Sequence, residues 1–217
     1  MQINKTNLNF TSRNAVIRKA DDIARQVNIA LPRVSQTIVR DFKHIDEHRY
    51  IKIKLNDKTR QMRNLKNSRF YNATHPIQKL IAFLSPIQER KVGNCGESAQ
   101  VAAIAAQMNG IKDFTIAGLE GKNGYNHGHA VLLVNDKKPY IIDPWLGFAD
   151  YLDNASQKYQ KDYSQHFDFK KGKLEKLIFE PERYKHDEYN RFLKKPISEE
   201  DLETLRKLYP QLVVKGK

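Results

Sequence analysis

The sequence predicts an α+β chain: an antiparallel sheet packed on one alanine-rich helix, with a basic, mainly helical segment in front. Three observations carry this. The stretch Cys95–Met108 holds Ala99, Ala102, Ala103, Ala105 and Ala106, side chains small enough for close packing on other backbone. Two β-branched runs, Ala130–Val134 and Tyr140–Ile142, flank a short polar turn, which is a hairpin signal. Before residue 76 the apolar residues recur mostly at three and four, the period of a surface helix.

The elements follow in order. Thr11-Ser12 can cap a helix through about Ile29, with Val16, Ile17, Ala20, Ile23, Ala24 and Val27 on one face. After Pro32, Val34, Ile38, Val39 and Phe42 continue a helical pattern. Tyr50-Ile51-Lys52-Ile53-Lys54-Leu55 alternates and predicts a short strand ending at Asn56-Asp57. Residues 58–75 carry Arg60, Arg63, Lys66 and Arg69 before Phe70 and Tyr71. They read as a charged loop or a solvated helix, since no nucleic-acid module surrounds them. Pro76 opens a helix that Ser85-Pro86 is expected to disturb.

Asn94, followed three residues later by Glu97, is a capping-box pattern that starts a helix at Cys95, and Asn109-Gly110 stops it. A strand is expected over Asp113–Leu119. The segment Gly121–Asn126 reads as a flexible border of a cleft. Beyond Trp145 the signals weaken: a helix over Ala149–Tyr159, a strand over Leu174–Phe179 stopped by Pro181, and a last helix capped by Ser198 with Asp201 before Pro210. The organisation expected is one domain over 1–217. Within it, 1–75 is a basic extension, 76–180 the core and 181–217 a helical end.

Composition limits the function classes. Among 217 residues 40% are hydrophobic and 29% charged, with no apolar run of membrane-spanning length. The N-terminus lacks a basic segment followed by an apolar one, so no signal peptide is expected. A single cysteine rules out an internal disulfide and suits a reducing compartment: the cytoplasm, or a host cell reached through a specialised secretion system. The net charge of +13 is uneven. Residues 1–92 hold 19 Lys/Arg against 7 Asp/Glu, whereas 93–217 hold 19 against 18. That asymmetry points to an acidic protein partner or an anionic membrane surface rather than nucleic acid. His44 and His48 lie four apart but lack a third ligand, so no metal is expected.

One constellation carries chemistry. Cys95 stands in the first turn of a helix, where the dipole favours thiolate over thiol, although Glu97 opposes this. Folding the hairpin about Asp136 or Lys137 sets His129, opening one strand, beside Asp143, closing the next. A cysteine, a histidine and an aspartate so placed are a nucleophile, a base and the group that orients the base. His127 shares strand parity with His129 and is the alternative base. Asn94 and Trp145 flank the set and are expected to border the substrate cleft.

The runs Gly93-Asn94-Cys95-Gly96-Glu97, Gly128-His129-Ala130-Val131 and Ile142-Asp143-Pro144-Trp145 resemble the papain-like cysteine fold in its transglutaminase-like branch. Bacterial effector deamidases in that branch carry a similar Cys–His–Asp order. The resemblance covers residues 76–150. It implies Cys95 as nucleophile, His129 as base, Asp143 as orienter and Gln88, seven residues upstream, as a donor to the oxyanion. The Cys-Gly-Ser-Cys-Trp signature of papain proteases is absent, Gly96 replaces the aromatic of animal transglutaminases, and no calcium loop is seen. The expected activity is glutamine side-chain deamidation or transglutamination through a thioester, without cofactor. A cysteine protease and a non-enzymatic basic binding module are the alternatives.

Overall fold

The computed structural model describes residues 5–30, 45–120, 126–163 and 177–214. Their elements are α1 (Lys5–Ala30), α2 (Ile45–Asn72), α3 (Pro76–Arg90), α4 (Cys95–Met108), β1 (Phe114–Glu120), β2 (Asn126–Val134), β3 (Tyr140–Asp143), β4 (Phe148–Tyr151), α5 (Leu152–Asp162), β5 (Ile178–Glu180), α6 (Glu188–Leu193) and α7 (Glu199–Leu208). Short 3-10 turns cover Glu182–Tyr184 and Pro210–Leu212. The five strands form one antiparallel sheet in the order β4-β3-β2-β1-β5. The chain is therefore α+β. Among the described residues, no helix is long and apolar enough to cross a membrane.

Period-two alternation gives the sheet two working faces. Phe114, Ile116, Ala130, Leu132, Val134, Tyr140 and Ile142 pack with α4 and the buried side of α1. Ala117, Leu119, Val131 and Ile141 point the other way, onto Trp145, Phe148 and, from α5, Ala155 and Tyr159. The alanines of α4 are fully buried, as expected for a helix in contact with neighbours all round. Its cap is also as expected: the Asn94 N–H donates to Glu97 Oε2 at 2.9 Å, and Gly110, with φ of 82°, follows the last turn. The 2–3 hairpin pairs Val134 with Tyr140 around residues 135–139. The Ser198 cap is present too, accepting from the Asp201 N–H at 3.2 Å.

Several expectations need correction. Residues 50–55 are not a strand but part of the 28-residue α2. A lone alternating hexapeptide leaves its backbone groups without partners. A helix satisfies them internally, and no Gly or Pro interrupts 45–72. Pro86 does not end α3, which continues to Arg90 with Lys91 in the left-handed region as its cap. One lost backbone donor is offset there by burial of Pro86 and Ile87 against the core. The first helix starts at Lys5, earlier than the Thr11-Ser12 cap suggests. The N-terminal segment is also less of an extension than composition implies. Ala20, Ile23, Ala24 and Val27 of α1 and Met62 and Phe70 of α2 belong to the same buried cluster as α4. The helical pattern at 34–42 and the flexible stretch at 121–125 lie outside the described residues, as does His44. Two elements, β4 and α6, carry no signal that the sequence reading used.

Candidate active site

Three elements converge on Cys95. As the first residue of α4 it lies half-buried at the positive end of the helix dipole. β2 supplies His129, which is 3% exposed, and β3 supplies Asp143, which is 0% exposed. His129 Nε2 and Asp143 Oδ2 are 2.7 Å apart. Register explains the approach. Leu132 opposes Ile142, so Asp143 falls across from Val131, one diagonal step from His129 on the same sheet face. With Nε2 engaged by Asp143, Nδ1 is the ring nitrogen left to the thiol.

The β2 strand is bent to make this possible. Pairing with β1 slips between Leu119 opposite His129 and Glu120 opposite Asn126, so His127 and Gly128 are bulged out. Gly128 takes φ of 64°, and its carbonyl accepts the Cys95 thiol at 3.7 Å. The slip falls between His127 and His129, so the parity that made His127 an alternative base does not run through this part of the strand. The structure brings His129 into the Asp143 hydrogen bond, and the His127 side chain lies outside the described residues.

The electrostatics favour a charged pair. Burial pushes the Cys95 thiol up, but the hydrogen bond to His129, its positive charge and the Ala130 N–H bring it below its usual value. For His129 burial acts downward, and Asp143 and the thiol more than reverse it, raising the imidazole to about 10. Both directions favour the thiolate–imidazolium pair over the neutral thiol and imidazole. Glu97, expected to oppose the thiolate, is itself neutralised. Arg63 donates to it twice, Nε to Oε1 at 2.7 Å and Nη2 to Oε2 at 3.1 Å, which holds the buried carboxylate below its ordinary range.

Sequence reasoning missed the residues that hold the triad. Asp143 Oδ2 also accepts the Tyr159 hydroxyl at 2.6 Å, and Oδ1 accepts the Leu146 N–H at 2.9 Å. From α1, Asn28 Nδ2 donates to the carbonyls of Pro144 and Trp145, each at 2.9 Å, fixing the turn after Asp143. Trp145 is buried with its ring 5.2 Å from that of His129, so it covers the imidazole. Asn94 is committed to capping α4. Gln88 is exposed on the last turn of α3, lining a cavity with Leu84, Val101 and Leu212, and no hydrogen bond joins it to Cys95. The first N–H groups of α4, at Cys95 and Gly96, have no acceptor within the helix and stand beside the thiol.

A cavity of about 290 Å³ lies between α2, α4 and the sheet, lined by Gly96, Glu97, Ala130, Lys66, Gln100 and Asn190. Lys66 is 4% exposed and donates to Gln100 Oε1 at 3.1 Å, with its ammonium 4.5 Å from the centre of the Tyr189 ring. Of the basic residues at 58–75, Lys66 is thus buried, and Arg63, though exposed, is committed to Glu97. Phe70 is likewise buried, edge-on to Phe83, Tyr189 and Phe192, and is no platform for a base.

The fold and site define a class: an α+β protein presenting a thiol, an imidazole and a carboxylate in series. No protein-family model, curated protein or solved structure matches the chain.

Proposed function

We propose that the protein is a thiol enzyme that transforms amides of a protein substrate, by deamidating glutamine side chains or by transglutamination. The observation that supports it most is the series itself: Cys95 on a helix N-terminus, its thiol lowered by His129, whose Nε2 is held by a buried Asp143. The thiolate attacks the amide carbon, and the oxyanion is received by the N–H groups that open α4. As the C–N bond breaks, His129 passes its proton to the departing nitrogen, releasing ammonia and leaving a thioester. Water, deprotonated by His129, then opens the thioester to a carboxylate and returns the thiolate. An amine in place of water gives the transglutaminase outcome.

The preference for a side-chain amide over an extended backbone rests on the resemblance of the Cys95, His129 and Asp143 series to effector deamidases. The arrangement of a thiol-bearing helix against an antiparallel sheet resembles the papain-like, transglutaminase-like enzymes. On that likeness the setting is the cytoplasm, or a host cell into which the protein is delivered as a bacterial effector. Incubation with host-cell extract and peptide mapping is the test. Cys95-dependent glutamine-to-glutamate conversion or amine incorporation supports the reading. New peptide termini that need Cys95, with glutamines unaltered, make the protein a protease instead.

A further inference from the structure

We propose that Tyr159 is a positioning residue of the site: its hydroxyl pins Asp143 so that the imidazole of His129 stays aligned on Cys95. The inference rests on the proposed thiol chemistry and goes one shell beyond it. Tyr159 donates to Oδ2, the same oxygen that meets His129 Nε2, at 2.6 Å, and the two contacts share one fully buried carboxylate. The phenol has no freedom to leave. It is fully buried, with the ring centres of Phe148 at 5.3 Å, Phe179 at 6.4 Å, Tyr163 at 6.4 Å and, nearly perpendicular, His129 at 6.1 Å.

Three elements therefore fix one carboxylate from three directions: Leu146 N–H on Oδ1, and Tyr159 and His129 on Oδ2. Burial, then the negative field of Asp143, keeps the phenol protonated, so it acts as a donor at every working pH. The titratable groups that bear on the set are Cys95 and Glu97 of α4, Arg63 of α2, Tyr163 just after α5 and Tyr184 of the turn after β5. Tyr159 and His129 hydrogen-bond to Oδ2, and removing the hydroxyl alone reads the phenol's effect apart from the rest.

The consequence has a sign. Without the hydroxyl, the Asp143 carboxylate gains rotational freedom, the imidazolium is held less squarely, and Cys95 loses part of what stabilises its thiolate. The thiolate then forms at higher pH. A phenol that only competed with His129 for Oδ2 gives the opposite sign, because its removal strengthens the Asp143–His129 contact.

The experiment is a thiolate titration by absorbance near 240 nm, with the Cys95→Ser protein subtracted, on wild type, Tyr159→Phe and Phe148→Leu. Phe fills the ring's space, so Tyr159→Phe is expected to fold, and Phe148→Leu loosens the same packing while leaving the hydroxyl. The expected result is an upward midpoint shift of about one pH unit in Tyr159→Phe, the loss of one ordinary hydrogen bond. Phe148→Leu should lower the melting temperature without moving the midpoint. An unchanged or lowered midpoint in Tyr159→Phe overturns the proposal, as does an equal shift in Phe148→Leu. A wild-type midpoint near that of free cysteine, about 8.5, overturns the thiol-enzyme reading itself, which keeps the two failures apart.

Discussion

Replacing Arg60, Arg63 and Lys66 by alanine one at a time separates three lysine and arginine residues that look alike in the sequence. Arg60 is exposed and pairs only with Asp57, three residues away on the same helix. Its loss should change stability by less than about 0.5 kcal/mol. Arg63 makes two charge-assisted hydrogen bonds to Glu97, whose side chain is 7% exposed. Such bonds contribute up to about 3 kcal/mol each when buried, but the Arg63 side chain is 47% exposed, so solvent screening brings the pair down to about 2 kcal/mol. For a chain of this size that is a fall in melting temperature of about 4–8 °C. The orphaned carboxylate also sits two residues from Cys95, so the thiol should titrate higher than in wild type.

Lys66→Ala removes three methylenes packed under Tyr189 and Phe83, about 2 kcal/mol after the relief of desolvating an ammonium is counted. Lys66→Met keeps the stem and should fall within about 1 kcal/mol of wild type. Thermal melts with parallel alkylation rates read all four variants. If Arg63→Ala melts like Arg60→Ala and leaves Cys95 reactivity unchanged, the Arg63–Glu97 pair does not do what is argued for it.

Gly128→Ala places a side chain at φ of 64°, with open space around it. It should cost about 1–2 kcal/mol of backbone strain and slow Cys95 alkylation, measured by melts and by mass-shift kinetics. Glu97 has a carboxyl lowered by Arg63 despite its burial, so its contribution to stability is full above its unfolded value of about 4.3 and is lost as pH falls through the lower folded value. Urea melts between pH 2 and 6 should therefore show a steeper acid loss in wild type than in Glu97→Gln. The exposed cations Lys54, Lys58 and Arg60 on α2 should carry any salt-sensitive attraction to an acidic protein or anionic vesicle. Reversing their charge should abolish it in a sedimentation assay, and retention at full strength would dismiss that face.

The site was legible in the sequence because each member lies on an element with strong local signals. Asn94 and Glu97 mark the start of α4, and the hairpin around Asp136 brings the ends of β2 and β3 together. What failed was what depends on distant partners. Ile51, Ile53 and Leu55 fit a strand locally, and only the absence of a neighbouring strand decides for helix. Lys66 reads as surface and the Arg63 partner goes unseen because nothing nearby in sequence reveals Gln100 or Glu97, each 34 residues on. Tyr159 had one usable signal, its spacing of four from Ala155 on an otherwise polar helix, which marks a buried stripe but not the carboxylate it meets. The bulge at His127-Gly128 left only its glycine as a trace, so the parity argument crossed it unaware.

The central claim is that Cys95 is an activated nucleophile, and its rate of alkylation by iodoacetamide across pH 4–9 tests that most directly. The charged pair predicts rapid, single-site modification of the native protein well below pH 8.5, slowed in His129→Ala by the loss of the imidazolium. The contradiction is equally plain: a Cys95 that labels only after denaturation, or whose rate rises as a free thiol's does and ignores the loss of His129.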